Sequence, residues 1–226
     1  AGLTQANNEP GGTINAVRKK PTSKRQLSAD LTVNTWGRVG GTFDASGALS
    51  SEHGLRGRFV GSVGSNKTFK DQSGGRDILL YGVMDKDIGD NSKLTWGASY
   101  LNQTKTPDPD GLPMRADGKE WKRSRYLGAD WNEARLKKHN LFAEVEHYFN
   151  DNWKLSSKRD WLKSDNSKEY YRLGGKDNGI GADGLGKTYS LDRYDTYSRQ
   201  LPFQNNLTGR TLLFGPSHDL FFLHSY

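Results

Sequence analysis

Alternation is the feature that most narrows what this chain can fold into. In residues 139–149, HNLFAEVEHYF, Leu141, Ala143, Val145 and His147 fall on one parity while Asn140, Glu144 and Glu146 fall on the other. That is the period of two expected of a strand with one apolar and one wet face. In KLTWGASYLN, residues 93–102, the same reading sets Leu94, Trp96, Ala98 and Tyr100 against Thr95, Gly97 and Ser99. From Leu27 onward, segments of about ten residues follow one another between turn signals, the sequence signature of a barrel or a sandwich. The other candidate strands are 27–36, 39–50, 55–65, 78–88, 153–162, 198–207 and 220–226.

The connections are of two kinds. SSEHG (50–54), GDNS (89–92) and NDN (150–152) are tight Asn/Asp/Gly turns, whereas 66–77, 103–138 and 163–197 are long. Short and long alternate along the chain, so the long ones gather at one end. An outer-membrane barrel is built this way, with tight periplasmic turns and long outer loops. A compact soluble domain seldom carries structureless loops beyond about 12–15 residues.

Composition agrees with strands that keep one face wet. Only 33% of the 226 residues are hydrophobic, yet 11% are aromatic and 27 are glycine, and the mean hydropathy is -0.86. The aromatic content, placed in regular runs, argues against a disordered chain. No stretch of 18 apolar residues occurs, which excludes helical membrane spans and leaves alternating β-spans open. With no cysteine, disulfides, thiolate zinc sites and cysteine nucleophiles are excluded. The net charge of +7 points to an acidic partner: nucleic acid, anionic lipid headgroups or an anionic ligand.

Catalytic patterns are weak. GIGADG, residues 179–184, fits G-x-G-x-x-G, but no apolar strand precedes it and no helix pattern follows, so it reads as a loop. Asp85 with Asp87, Asp108 with Asp110, and Glu144 with Glu146 and His147 offer paired carboxylates without a third ligand or an orienting group. They read as residues of a wet face or a loop. No G-x-S-x-G places a serine for attack, and neither an enzyme nor a metal site is expected.

The opening segment NNEPGGTINAVRKKPTS, residues 7–23, resembles the end of the plug domain of TonB-dependent outer-membrane receptors. There a Gly-rich turn and a short strand pass into the first barrel strand. LRGRFVGSVGSNKTFKDQ and LYGVMDKDIGDNSKLTWGASYLNQ resemble the third to fifth strands of the ferric-siderophore branch. DGLPMRADG resembles a loop of that branch, and NLFAEVEHYFNDNWKL a later hairpin.

The resemblance implies an all-β fold, an antiparallel transmembrane β-barrel that is incomplete here, with about nine strands of the 22 or so that close around a plug and with long extracellular loops. Residues 1–22 would be the C-terminal end of the plug and its junction, marked by Gly11, Gly12, Ile14, Asn15, Arg18 and Lys19. Residues 23–226 would be the N-terminal part of the barrel, the chain being a fragment of a longer receptor. The implied place is the bacterial outer membrane, among its lipid and lipopolysaccharide. The implied function is TonB-dependent uptake of ferric siderophores, with the TonB complex engaged through a segment absent from this chain. Iron would arrive only as part of the siderophore, so no cofactor is expected, nor is nucleic acid a partner.

Within 103–138, Trp121, Tyr126 and Trp131 sit among Arg115, Lys122, Arg123 and Arg125. Aromatics beside cations suit a bulky, partly apolar, anionic iron chelate, and Arg115, Trp121, Arg125, Tyr126 and Trp131 are the candidate ligand contacts. The same residues also suit an interfacial aromatic girdle and basic loops facing lipopolysaccharide. Two other readings stay open: a complete small outer-membrane barrel with a porin-like or adhesive role, and a soluble basic β-domain for single-stranded nucleic acid.

Two local questions remain for the fold. Arg18, Lys19 and Lys20 are either a solvated linker or a specific contact. Lys158, Arg159 and Asp160 stand in succession where alternation is expected, so either parity turns charge toward lipid, at about 2–4 kcal/mol for a midplane cation. That conflict questions the strand register or the integrity of the gene.

Overall fold

The computed structural model describes residues 17–108, 111–174, 187–212, 215 and 217–226. The strands are β1 (Gln26–Val33), β2 (Val39–Ser50), β3 (Leu55–Lys67), β4 (Gly74–Ile88), β5 (Ser92–Lys105), β6 (Glu133–Asn150), β7 (Trp153–Gly174), β8 (Thr188–Gln200), β9 (Phe203–Leu212) and β10 (Ser217–Ser225). They form one antiparallel sheet in sequence order, with β7 pairing both β8 and β9. The edge strands β1 and β10 do not pair among the described residues, so the sheet is an open wall and not a closed small barrel.

The double pairing of β7 has a simple cause. Leu162 pairs with Gln200 and Arg159 with Phe203, which is one uninterrupted register. Between them Pro202 has no N–H to give to the ladder, although its carbonyl still accepts from the Asp160 backbone N at 3.0 Å. Strands β8 and β9 are therefore one stave broken at a proline, and the ten hydrogen-bonded strands make nine staves. The 198–207 strand expected from sequence straddles this break.

The strands run further than the sequence suggested. β6 begins at Glu133, β7 continues to Gly174 and β8 starts at Thr188, so the 103–138 connection shrinks to 106–132 and most of 163–197 is strand. In KSDNSKE, residues 163–169, both parities carry polar or charged residues and the apolar half of the pattern disappears. Backbone pairing with β6 and β8 holds the strand without it.

Cross-strand register assigns the faces, because residues paired across a ladder point the same way. Phe59, Met84, Trp96, Leu141 and Val145 share the convex face; Asp44, Arg58, Asp85, Thr95, Asn140 and Glu146 share the concave one. The convex residues are partly or largely exposed, while Asp44, Asp85, Thr95, Asn140 and Glu146 are buried. A wall that exposes its apolar side and shelters its charges is turned inside out relative to a water-soluble sandwich. It is suited to lipid outside and water or a plug inside.

The same parity resolves the charged run. Asp160 pairs with Phe142 and Lys158 with Glu144, on the concave face. Arg159 faces outward beside Ala143. Its guanidinium lies 4.7 Å from the Phe203 ring centroid and donates to the Lys158 carbonyl at 2.9 Å and Asn205 Oδ1 at 3.3 Å. A ring and two oxygens meet the cation on its own wall, and the register is intact.

Candidate functional site

Two regions gather chemistry: the concave face near residues 17–25 and the loops at the long-connection end. Of the six junction-motif residues, Gly11, Gly12, Ile14 and Asn15 lie outside the described residues, as does GIGADG. Arg18 and Lys19 are described.

Arg18, Lys19 and Lys20 make specific contacts. Each reaches an acid on a different strand: Arg18 meets Asp160 of β7 at 2.5 Å, Lys19 meets Asp44 of β2 at 2.8 Å and Lys20 meets Glu146 of β6 at 3.4 Å. The backbone is held as well, since Tyr81 Oη donates to the Lys19 carbonyl at 2.7 Å and Arg58 to the Lys20 carbonyl at 3.1 Å. The acids are shared with cations of the wall. Arg58 forks Asp44 at 2.8 and 2.6 Å, and Lys154 pairs with Glu146.

Beneath these contacts lies a stack. The Arg18 guanidinium sits 4.2 Å from the Phe142 centroid, and Phe142 stacks on Tyr81 with centroids 6.2 Å apart at 10°. The cleft around them, about 700 Å³, is lined by Arg18, Lys20, Tyr81, Thr95, Phe142 and Glu144 among others. Thr95 Oγ1, buried in that wall, has no hydrogen-bond partner among the described residues. Of the carboxylate sets considered for catalysis, two lie on the same ionic wall: Arg56 binds Asp85 at 2.6 Å and Asp87 at 2.7 Å, and Glu144 accepts from Ser156 at 3.0 Å, with His147 turned to the opposite face and Asp110 outside the described residues. Asp108, in the 106–132 loop, pairs with Lys70. Among the described residues no group of three or more His, Asp or Glu is placed to hold a metal ion.

Sequence alternation assigned Glu146 to the wet face, left the parity of Asp160 open and did not single out Asp44. What it did not supply was their partner, which enters from a segment distant in sequence.

The loop 106–132 divides the five candidate ligand residues. Arg115 grips Asp117 with two bonds of 2.8 and 2.7 Å and lies 5.0 Å from the Trp121 centroid. That guanidinium, helped by the Lys119 backbone N, holds the Asp117 carboxyl down at about 2. A depressed carboxylate keeps its pair above the usual carboxylate range, and the pair is lost only as pH falls toward about 2. Trp121 donates its Nε1 to the Pro113 carbonyl at 2.7 Å.

Tyr126 is 8% exposed, its hydroxyl 3.3 Å from the Pro107 carbonyl and 3.2 Å from that of Ala129. Burial pushes its phenol pKa up. Asn132 Oδ1 accepts the Tyr171 backbone N at 2.9 Å and ties the loop base to β7. Arg125 is exposed, as is Trp131 at 47%. Arg115, Trp121 and Tyr126 therefore shape the loop, and Arg125 and Trp131 are the two left open to solvent.

No family model matches the chain. It is 29% identical over 222 residues to the ferric-pyoverdine M114 receptor PbuA of Pseudomonas sp. strain M114, a match taking in 97% of this chain and 27% of that receptor. To the ferric-pyoverdine BN7/BN8 receptor of Pseudomonas putida it is 30% identical over 224 residues, with the same shares, 97% and 27%. The chain matches ferric-siderophore receptors in sequence and an outer-membrane receptor in fold.

The chain lies in the outer membrane as part of a barrel wall and spans 27% of the length of the two curated relatives. The fold agrees with the pyoverdine outer-membrane receptor FpvA of Pseudomonas aeruginosa PAO1. The TM-score is 0.83 at 22% identity, covering 92% of this chain and 31% of that one. These relatives are named as receptors, not as enzymes.

Proposed function

We propose that this chain forms wall and mouth of an outer-membrane receptor that imports ferric siderophores in a TonB-dependent manner, a pyoverdine-type chelate being the first ligand to test. The supporting observation is the 30% identity to a ferric-pyoverdine receptor, which takes in 97% of the chain and so runs through strands and mouth loops alike. In this reading residues 1–22 close the plug and 23–226 begin the barrel.

The mouth loop 106–132 captures the chelate. Arg125 and Trp131 contact it directly, while Arg115, Trp121 and Tyr126 hold the loop in shape. Iron travels inside the siderophore, so the wall needs no metal ligands and catalyses no reaction. The TonB complex engages a segment outside this chain, and lipid with lipopolysaccharide surrounds the convex face.

The test is iron uptake. In an iron-starved pseudomonad lacking its own pyoverdine receptors, the gene carrying this chain is expected to restore accumulation of radiolabelled iron from ferric pyoverdine. Restoration should fail when the energising complex is deleted. Uptake equal to that of the empty vector, with the protein present in the outer membrane, contradicts the proposal.

A further inference from the structure

Three connections at the long-loop end converge on one aromatic pair. Trp36, in the turn between β1 and β2, meets Phe69, in the loop between β3 and β4, edge to face with centroids 6.1 Å apart at 69°. Arg123 arrives from the 106–132 loop with its guanidinium 4.9 Å from the Phe69 centroid. None of the three was among the ligand candidates drawn from sequence, because the rings lie in separate connections and Arg123 looks like its basic neighbours.

The arrangement is fixed by its surroundings. Asn34 Oδ1 accepts the backbone N of Trp36 and of Arg38, each at 3.0 Å, and Gly37 takes the positive φ of 80° that this turn requires. The second and third connections are joined: the Asp71 backbone N donates to the Ser124 carbonyl at 2.7 Å, and Ser124 Oγ donates to Asp71 Oδ2 at 3.1 Å. Lys70 pairs with Asp108 across the same seam.

A clasp between loops would be served best by burying its rings. Here Trp36 remains 56% exposed and Phe69 41%, and among the described residues Arg123 has no carboxylate partner. Open ring surface next to an unneutralised cation recognises a flat anionic group by stacking and charge together.

We infer that Trp36, Phe69 and Arg123 form a ligand-contact platform at the receptor mouth that takes a flat, anionic ring of a ferric chelate. The inference rests on the uptake reading proposed above. It places contacts on the first three outer connections, beyond the 106–132 loop alone.

The test measures binding of radiolabelled ferric pyoverdine and of a ferric tris-catecholate to outer membranes holding the whole receptor. Trp36→Leu and Phe69→Leu keep apolar bulk and remove the ring face; Arg123→Gln keeps length and removes charge. Each ring variant is expected to bind at least one of the two chelates about five-fold more weakly. Arg123→Gln is expected to weaken that binding too and to flatten its dependence on salt. Trypsin cleavage within 106–132 reports whether the loops still pack.

Binding of both chelates within about two-fold of wild type by all three variants overturns the platform. So does weakening that appears only in step with faster trypsin cleavage, since the cluster is then a loop clasp. A wild-type receptor that binds neither chelate overturns the uptake reading itself, and the platform's ligand with it.

Discussion

Replacing the Asp44 carboxylate, as Asp44→Ala, is expected to destabilise the protein by about 2–3 kcal/mol, read as a lower unfolding midpoint of the membrane-inserted protein. Asp44 is 6% exposed and accepts three charged hydrogen bonds, two from Arg58 and one from Lys19. Bonds to charged groups contribute about 1.5–3 kcal/mol each, but water on the concave side screens them and the contributions do not add. Removing the acid also leaves two cations facing each other. Asp44→Asn should recover part of the loss, because an amide oxygen still accepts from Arg58. A midpoint unchanged in Asp44→Ala would mean that the Lys19–Asp44–Arg58 contact carries no stability.

Gly97→Ala is expected to be more disruptive than its single methyl suggests, at about 3 kcal/mol, the upper end of overpacking costs. A Cβ at Gly97 would stand 2.4 Å from the Gly82 carbonyl oxygen and 2.6 Å from Phe142 Cζ. Phe142 can turn aside, but the Gly82 oxygen belongs to the ladder and can move only with its strand. Turning Phe142 aside also removes the ring beneath Arg18, so the change reaches the 18–20 segment. The control is Gly82→Ala on the opposite face, where a Cβ meets nothing within 4 Å. Unfolding midpoints should fall for Gly97→Ala and hold for Gly82→Ala. Equal midpoints would show that the β4–β5 spacing is looser than described.

The contrast between these two glycines indicates what the sequence made legible. Parity alone put Gly97 on the concave face, and it put Leu141, Ala143 and Val145 outward opposite Asn140, Glu144 and Glu146. Lipid on one side and water on the other select every second residue, so that part of the fold is written locally. Strand length was less legible. In the middle of β7 both parities are polar, and residues such as those at 163–169 carry no periodic signal. Only pairing with neighbours keeps them extended.

The basic run 18–20 was legible as charge and not as a set of contacts. Nothing local says that Arg18 pairs with Asp160 or Lys20 with Glu146, because ion pairs of this kind are set by how the whole wall curves. In the mouth loop, residue type suggested five ligand contacts, but Tyr126 and Trp121 carry polar atoms that the loop's own carbonyls occupy. An aromatic in a loop reads the same in sequence whether it faces a ligand or a backbone carbonyl.

The central claim is that the convex face meets lipid while the concave face stays wet, and thiol accessibility tests it most directly. The chain has no cysteine, so each introduced thiol is the chain's sole reporter. Along β6, a water-soluble maleimide applied to outer membranes is predicted to label Lys138→Cys and Glu144→Cys and to spare Leu141→Cys and Val145→Cys, with a lipid-soluble reagent giving the reverse. Labelling of positions 141 and 145 by the water-soluble reagent, as fast as at 138 and 144, would contradict a membrane wall and with it the receptor account.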